Sequence, residues 1–490
     1  MDLHKLYLSE QLEGIKSGEF SSTELTTHYL QRISQFDERL NSFITVTEDQ
    51  AIAQAKKSDE RYKNNTNLPL DGLPIAHKDI FCTKDVLTTC GSKMLSNFEA
   101  PYSSTVYEKL DNEGMVMLGK TNMDEFAMGS SNETSFFGPV KNPWNTDYVP
   151  GGSSGGSASC VSAELAPVAT ATDTGGSIRQ PASLCGLTGI KPTYGRVSRY
   201  GMIAFASSLD QGGVVARSAA DAALILEAMC GHDPKDSTSL NLERPDLTTN
   251  LNNPIKGMKI GLPKEFFEKE MPSFVEKSIE DAISVYKDLG AEIVEVSLPH
   301  TEFALPTYYV LAPAEASSNL ARYDGVRYGH RAKLDTNDSI LELYEKTRSE
   351  GFGTEVKRRI LIGTYVLSSG YYDAYYKRAQ KVRSLIKNDF DEVFKKVDII
   401  LTPTTPTSAF PLGSKGTQDP VEMYMNDIFT VPANLAGLPA LSLPVGLDEL
   451  GLPLGVQLIG NNWQEPLLLN TAFNLENTLA FENNPKKWWA

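Results

Sequence analysis

Two glycine- and serine-rich loops constrain this chain more than any other feature. The first is Gly151-Gly152-Ser153-Ser154-Gly155-Gly156-Ser157; the second is Asp173-Thr174-Gly175-Gly176-Ser177. Ser153 and Ser177 stand 24 positions apart, far enough for a loop–strand–loop return. The segment from Leu165 to Ala171 between them reads LAPVATA. A flexible linker is polar throughout, so this apolar run reads instead as a buried strand joining two tight loops. No glycine-rich loop here ends in Gly-Lys-Ser/Thr, and no GxGxxG occurs, so neither common phosphate-binding signature is present.

Around these loops the chain alternates helical and extended patterns. The first sixty residues read as helical, with Ser21 and Glu24 as a capping box and Leu25, Tyr29 and Ile33 at helical spacing. A polar stretch at 63–67 ends that segment, which occupies about 1–65. A Gly/Ser-rich core follows at about 68–213. Residues 256–298 read as β-α-β: a strand at 258–262, a helix face from Phe274 to Leu289 stopped by Gly290, and a strand at 291–296. A long helical stretch is expected around 355–394, then a buried strand at 397–401 and a strand pair at 441–445 and 455–459. No internal repeat and no long linker divides the chain. The expected fold class is α/β, a central mixed β-sheet flanked by helices in one large domain over 1–490.

Charge narrows the function. With 46 basic and 62 acidic residues the formal charge is −16, which argues against nucleic-acid binding as this chain's dominant role. The five cysteines form no CxxC pair, which fits free thiols in a reducing compartment. The six histidines are isolated, so no metal site is expected. The N-terminus does not read as a signal peptide, and no run of roughly 18 apolar residues occurs. The cytoplasm is the expected location, with no membrane association.

The loop Thr174-Gly175-Gly176-Ser177-Ile178-Arg179 carries the elements of acyl transfer. Glycines let backbone approach a substrate oxygen, and successive N–H groups form an anion-binding concavity. Ser177 presents its hydroxyl beside them. A base is needed to take its proton. No histidine lies near these loops in sequence, though such partners are often distant. Lys78, flanked by apolar residues in Leu73-Pro74-Ile75-Ala76-His77-Lys78-Asp79-Ile80, reads equally as a buried neutral amine or as a surface lysine paired with Asp79. Ser153 and Ser154 sit in the first loop, and a serine there could pass a proton between Lys78 and Ser177.

The paired loops, together with Gly72-Leu73-Pro74-Ile75-Ala76-His77-Lys78-Asp79, strongly resemble the amidase signature family. The resemblance implies a Ser–cis-Ser–Lys triad: Ser177 as nucleophile, Ser153 as bridge behind a cis Gly152–Ser153 bond, and Lys78 as base. It also implies an oxyanion hole from the N–H groups of Thr174, Gly175, Gly176 and Ser177. Further segments at 121–133, 321–329, 355–360 and 368–376 resemble the glutaminase branch of that family, the A subunits of tRNA-dependent amidotransferases. That branch implies a glutamine substrate, an acyl-enzyme, and a heterotrimer with B and C subunits. It implies misacylated tRNA, ATP and Mg2+ handled by the B subunit, with no cofactor bound by this chain. Family positions carry over onto the pair Arg358 and Arg359 for the α-carboxylate, with Arg359 favoured, and Asp427 for the α-amine. Tyr308 or Tyr309 is expected to close the pocket, with Met128, Gly129 and Ser130 as lining. The alternatives are a stand-alone amidase, a membrane-bound fatty-amide hydrolase and a catalytically silent scaffold.

Overall fold

All eleven strands join one mixed sheet in the computed structural model, which describes residues 2–415, 420–482 and 484–485. In chain order the strands are β1 (Phe43–Val46), β2 (Pro74–Lys78), β3 (Val116–Thr121), β4 (Val168–Asp173), β5 (Thr188–Lys191), β6 (Gln211–Ala216), β7 (Lys259–Pro263), β8 (Glu292–Val296), β9 (Ile399–Pro403), β10 (Ala440–Leu447) and β11 (Pro453–Gly460). Their spatial order is β1-β3-β2-β4-β6-β5-β10-β11-β9-β7-β8. The sheet is parallel across β3-β2-β4 and across β9-β7-β8, and antiparallel elsewhere. Every residue of β2, β3, β4, β5, β6 and β9 is buried. Both faces are covered there, so these strands are mostly apolar or small without alternation, with the buried polar residues His77, Lys78, Lys120, Asp173, Lys191 and Gln211 near their ends.

Most elements lie where the sequence places them. Ser21 caps the Ser22–Leu40 helix in a reciprocal box with Glu24. The β-α-β unit is β7, the Ser273–Asp288 helix and β8, with Gly290 in the left-handed region just past the helix end. β10 and β11 pair antiparallel as expected. The expected strand at 397–401 lies two residues later, as β9, and three larger differences appear. The N-terminal helical segment contains β1, too short for a periodic signal. The strand between the two loops begins at Val168 rather than Leu165 and runs to Asp173. The long 355–394 helix is interrupted: Thr354–Leu367 ends before Gly370, and a π-helical turn at Tyr372–Lys377 leads into Arg378–Val393. Gly370 adopts φ +88°, a conformation that stops a helix.

This topology positions the two loops. β2 and β4 are parallel neighbours, paired at Ala76 and Ala169, so their carboxyl ends open on the same edge. Lys78 ends β2, and the 174–177 loop follows β4. Ligand sites of open α/β sheets lie outside such carboxyl ends.

Candidate active site

Lys78 is wholly buried, and Asp79 is not its partner. The Asp79 carboxylate pairs instead with buried Lys120 at 3.1 Å. Lys78 Nζ lies among three hydroxyls: Ser153 Oγ at 2.9 Å, Ser154 Oγ at 2.8 Å and Thr172 Oγ1 at 2.8 Å. Burial pulls its pKa down to about 7, against smaller opposing effects from nearby acidic groups. The Ser154 hydroxyl donates to the Thr172 carbonyl at 3.1 Å, so towards Lys78 it acts as acceptor. A neutral amine has two N–H donors and one lone pair. Two of the hydroxyls can accept from it while a third donates to it. Thr172 carries no distinctive sequence signal of this role, since hydroxyl residues are common throughout the Gly/Ser-rich core.

The bridging loop and the nucleophile loop are packed against each other. The Gly152–Ser153 bond is cis. The Gly152 amide donates to Gln180 Oε1 at 2.9 Å, on the Arg179–Cys185 helix that follows the second loop. Ser177 is 8% exposed, the most accessible of the three residues. Among the described residues its hydroxyl makes no hydrogen bond, and Ser153 is bonded to Lys78 rather than to Ser177. The N–H groups of Thr174, Gly175, Gly176 and Ser177 likewise have no acceptor among the described residues. Four adjacent free donors beside a serine hydroxyl form the concavity that an oxyanion needs. Gly176 holds φ +143°, and a side chain there would run into Thr430. A Cβ on Gly175 would lie 2.8 Å from the Tyr308 ring.

Beneath this loop is a fully buried ion pair. Arg179 Nη2 meets Asp173 Oδ1 at 3.0 Å and Nε meets Oδ2 at 3.0 Å, a two-pronged geometry. Arg179 also donates to Gln457, Asn434 and the Thr430 carbonyl. Burial alone would push Asp173 up, but Arg179, with Lys191 and Asn434, more than offsets this and holds the carboxyl at about 2.

A cavity of about 450 Å³ opens beside the loops, with Glu125, Gly129, Ser130, Glu355, Arg358, Arg359 and Tyr424 in its wall. The two arginines separate clearly. The Arg358 side chain is 37% exposed and that of Arg359 is 4% exposed. Arg359 lies against the rings of Tyr309, Tyr424 and Phe205, with its Nε on Glu355 Oε1 at 2.8 Å. Its Nη groups have no hydrogen-bond partner among the described residues. Tyr309 and Tyr424 stack at 3.9 Å between ring centres, and Tyr424 donates to Glu355 at 2.9 Å. Asp427 is buried, and Ser130 Oγ donates to it at 2.6 Å. Burial pushes Asp427 up to about 7.

Ser177, Asp427, Tyr308, Tyr309 and Met128 are not in the cavity wall. Contacts link most of them to it: Ser130 to Asp427, Arg359 to Tyr309, and Tyr309 edge-on to Tyr308, which faces Gly175. Met128 is fully buried. Glu355 and Tyr424 are the residues of this network that sequence reasoning missed. Glu355 is one turn before Arg359 and so reads as an ordinary helix-face ion pair. The five cysteines are free and buried. The described residues contain no group of three or more metal-ligating side chains, and no helix is long and apolar enough to cross a membrane.

Comparison with known proteins adds a lineage to this geometry. The model of the family described as Amidase matches residues 24–469. A Cellvibrio japonicus protein, named as the A subunit of a glutamyl-tRNA(Gln) amidotransferase, is 60% identical over 479 residues, covering 98% of each chain. The crystal structure of the Thermotoga maritima protein of the same name is similar at TM-score 0.81 and 41% identity, covering 97% of this chain and 95% of that one. The native peptide amidase of Stenotrophomonas maltophilia is similar at TM-score 0.84 and 31% identity, covering 99% of both chains.

Proposed function

The chain belongs to the amidase family, and from that premise we propose that it is the glutamine-hydrolysing component of a tRNA-dependent amidotransferase. It releases ammonia for converting Glu-tRNA(Gln) to Gln-tRNA(Gln), Asp-tRNA(Asn) to Asn-tRNA(Asn), or both. The observation that carries the reading is the buried Lys78 amine on Ser153, one loop away from Ser177 and four free amides.

In the proposed mechanism Ser177 Oγ attacks the side-chain carbonyl carbon of glutamine. Its proton passes to Ser153 as the Ser153 proton passes to neutral Lys78. The negative charge that develops on the carbonyl oxygen is met by the N–H groups of Thr174, Gly175, Gly176 and Ser177. Collapse breaks the C–N bond, and the relay reverses to give the nitrogen a proton, so ammonia leaves and a glutamyl ester stays on Ser177. Water, activated by the same relay, attacks the ester and restores the serine. Arg359 holds the α-carboxylate with its free Nη edge. Asp427, with Ser130, holds the α-ammonium, whose charge favours the ionised carboxylate over the burial that opposes it.

On this reading the partners are B and C subunits in a heterotrimer, in the cytoplasm. ATP, Mg2+ and the misacylated tRNA belong to the B subunit, and this chain binds no cofactor. The relatives' shared designation as A subunits and the net charge of −16 support that division. The test is ammonia release from glutamine by the chain alone and with B and C subunits. Strong activation on assembly, raised further by misacylated tRNA and ATP, is the expected result. Full activity on many amides with no response to partners would instead make the chain a stand-alone amidase. Absence of labelling of Ser177 by an acylating glutamine analogue, together with no ammonia release from any amide tested, would leave only the scaffold reading.

A further inference from the structure

Glu125 lies in the cavity wall, is 3% exposed, and has no cation within ion-pair distance among the described residues. Its two carboxylate oxygens reach different parts of the chain. Oε1 accepts from Ser92 Oγ at 2.5 Å, and Oε2 accepts from the Gly353 amide at 2.8 Å. Gly353 is the residue immediately before the Thr354–Leu367 helix, which carries Glu355 and Arg359. On its other side Glu125 is part of a turn closed by the Met128 amide on the Glu125 carbonyl at 3.0 Å, and that turn leads directly to Gly129 and Ser130. Ser130 in turn holds Asp427. The turn is fixed from behind. Thr134 Oγ1 accepts from the Glu125 amide at 3.1 Å and donates to Asp124 at 2.8 Å.

One side chain therefore ties the start of the arginine-bearing helix to the loop that holds the aspartate. We infer that Glu125 is a positioning residue for substrate recognition, setting the separation between Arg359 and the Ser130–Asp427 pair so that both engage one α-amino acid end. This rests on the proposed glutamine substrate and deepens it. The Glu125 carboxylate bonds to Ser92 and Gly353 and not to Lys78, Ser153 or Ser177, so its loss is expected to act on binding rather than on chemistry. Misplacement of a clamp by about 1 Å weakens an interaction that depends on two simultaneous contacts.

The test uses the full chain, in the assembly that hydrolyses glutamine, with three variants. Glu125→Ala is expected to raise KM for glutamine about tenfold or more while kcat stays within about threefold, the pattern of lost uniform binding. Glutamine Kd on a Ser177→Ala background should weaken in parallel, because it reads binding without turnover. Glu125→Gln can accept from Gly353 and donate to Ser92, so it should restore KM to within about threefold of the parent. Gly353→Ala approaches the same joint from the other side. Gly353 has an ordinary backbone conformation at φ −72°, but a Cβ there would run into Glu125 Oε2. It should reproduce the rise in KM, and it decides the matter if Glu125→Ala fails to fold. Unchanged KM in Glu125→Ala or Gly353→Ala would overturn the inference. So would equal losses of kcat in Glu125→Ala and Glu125→Gln, which would make the carboxyl a proton-transfer group. A parent enzyme that does not hydrolyse glutamine would overturn the substrate reading first, and this inference with it.

Discussion

Lys78 acts as a base only when neutral, and burial sets its pKa at about 7. Its neutral fraction grows as pH rises through that value. Acylation, read as kcat/KM for glutamine, should therefore climb from about pH 6 and level off above about pH 8. A flat profile across that window would exclude Lys78 as the ultimate base. Ser177→Ala should abolish glutamine-dependent product formation by the assembled enzyme while leaving amidation from added ammonium salts, measured side by side. At the recognition site the two arginines should behave differently. Arg359→Lys removes the planar guanidinium that lies against the Tyr309, Tyr424 and Phe205 rings, where lysine is not an equivalent. Its rise in KM should exceed that of Arg358→Lys by about tenfold, the cost of roughly one lost charge-assisted hydrogen bond.

At the scale of elements, the second loop depends on the Asp173–Arg179 pair beneath it. Removing one member leaves the other charge buried and unpaired, a cost of about 3–5 kcal/mol. Arg179→Ala should thus lower the thermal unfolding midpoint clearly, and Arg179→Lys should recover only part of it because the guanidinium also serves Gln457, Asn434 and the Thr430 carbonyl. Gly176→Ala is the local counterpart. Its φ of +143° and the nearby Thr430 leave no room for a methyl group. It should displace the oxyanion donors and cut kcat by about a hundredfold or more. Retention of full kcat in that variant would remove the 174–177 amides from the mechanism.

Across the whole molecule, the buried carboxylate of Glu164 gathers cations from distant segments. Glu164 draws together Lys5 at 2.7 Å, Arg32 at 3.8 Å and Arg217 at 3.8 Å. Arg32 also donates to the Glu164 carbonyl at 2.9 Å. Lys5 and Arg32 belong to the N-terminal segment, whereas Glu164 sits between the two loops. Glu164→Ala should loosen that segment, and limited proteolysis should then cut within the first forty residues before the remainder of the chain. Cleavage in the same order and at the same rate as in the parent would show that apolar packing alone holds it.

The legibility of the chain follows from how local each signal is. The capping box at Ser21, the 256–298 unit and the apolar run before Asp173 are readable because pattern and partner lie within a few residues of each other. The two glycine–serine loops are readable for the same reason: each needs its own glycines to take its shape. The interruption within 355–394 escapes a sequence reading because Gly370 and the π-helical turn act against a pattern that is otherwise helical. The residues that sequence reasoning missed, Thr172, Glu355 and Tyr424, have partners far away in the chain or read as ordinary local pairs. Sequence by itself determined the α/β class, the presence of a serine in a glycine loop suited to an oxyanion, and the candidate partners Lys78 and Ser153 or Ser154, while Arg358/Arg359 and Asp427 came only with the family resemblance. Only the tertiary structure decided that Lys78 is buried among three hydroxyls rather than paired with Asp79, and that Arg359 rather than Arg358 faces inward. Burial and the pairing of residues far apart in the chain set those outcomes, and neither is a property of any single segment.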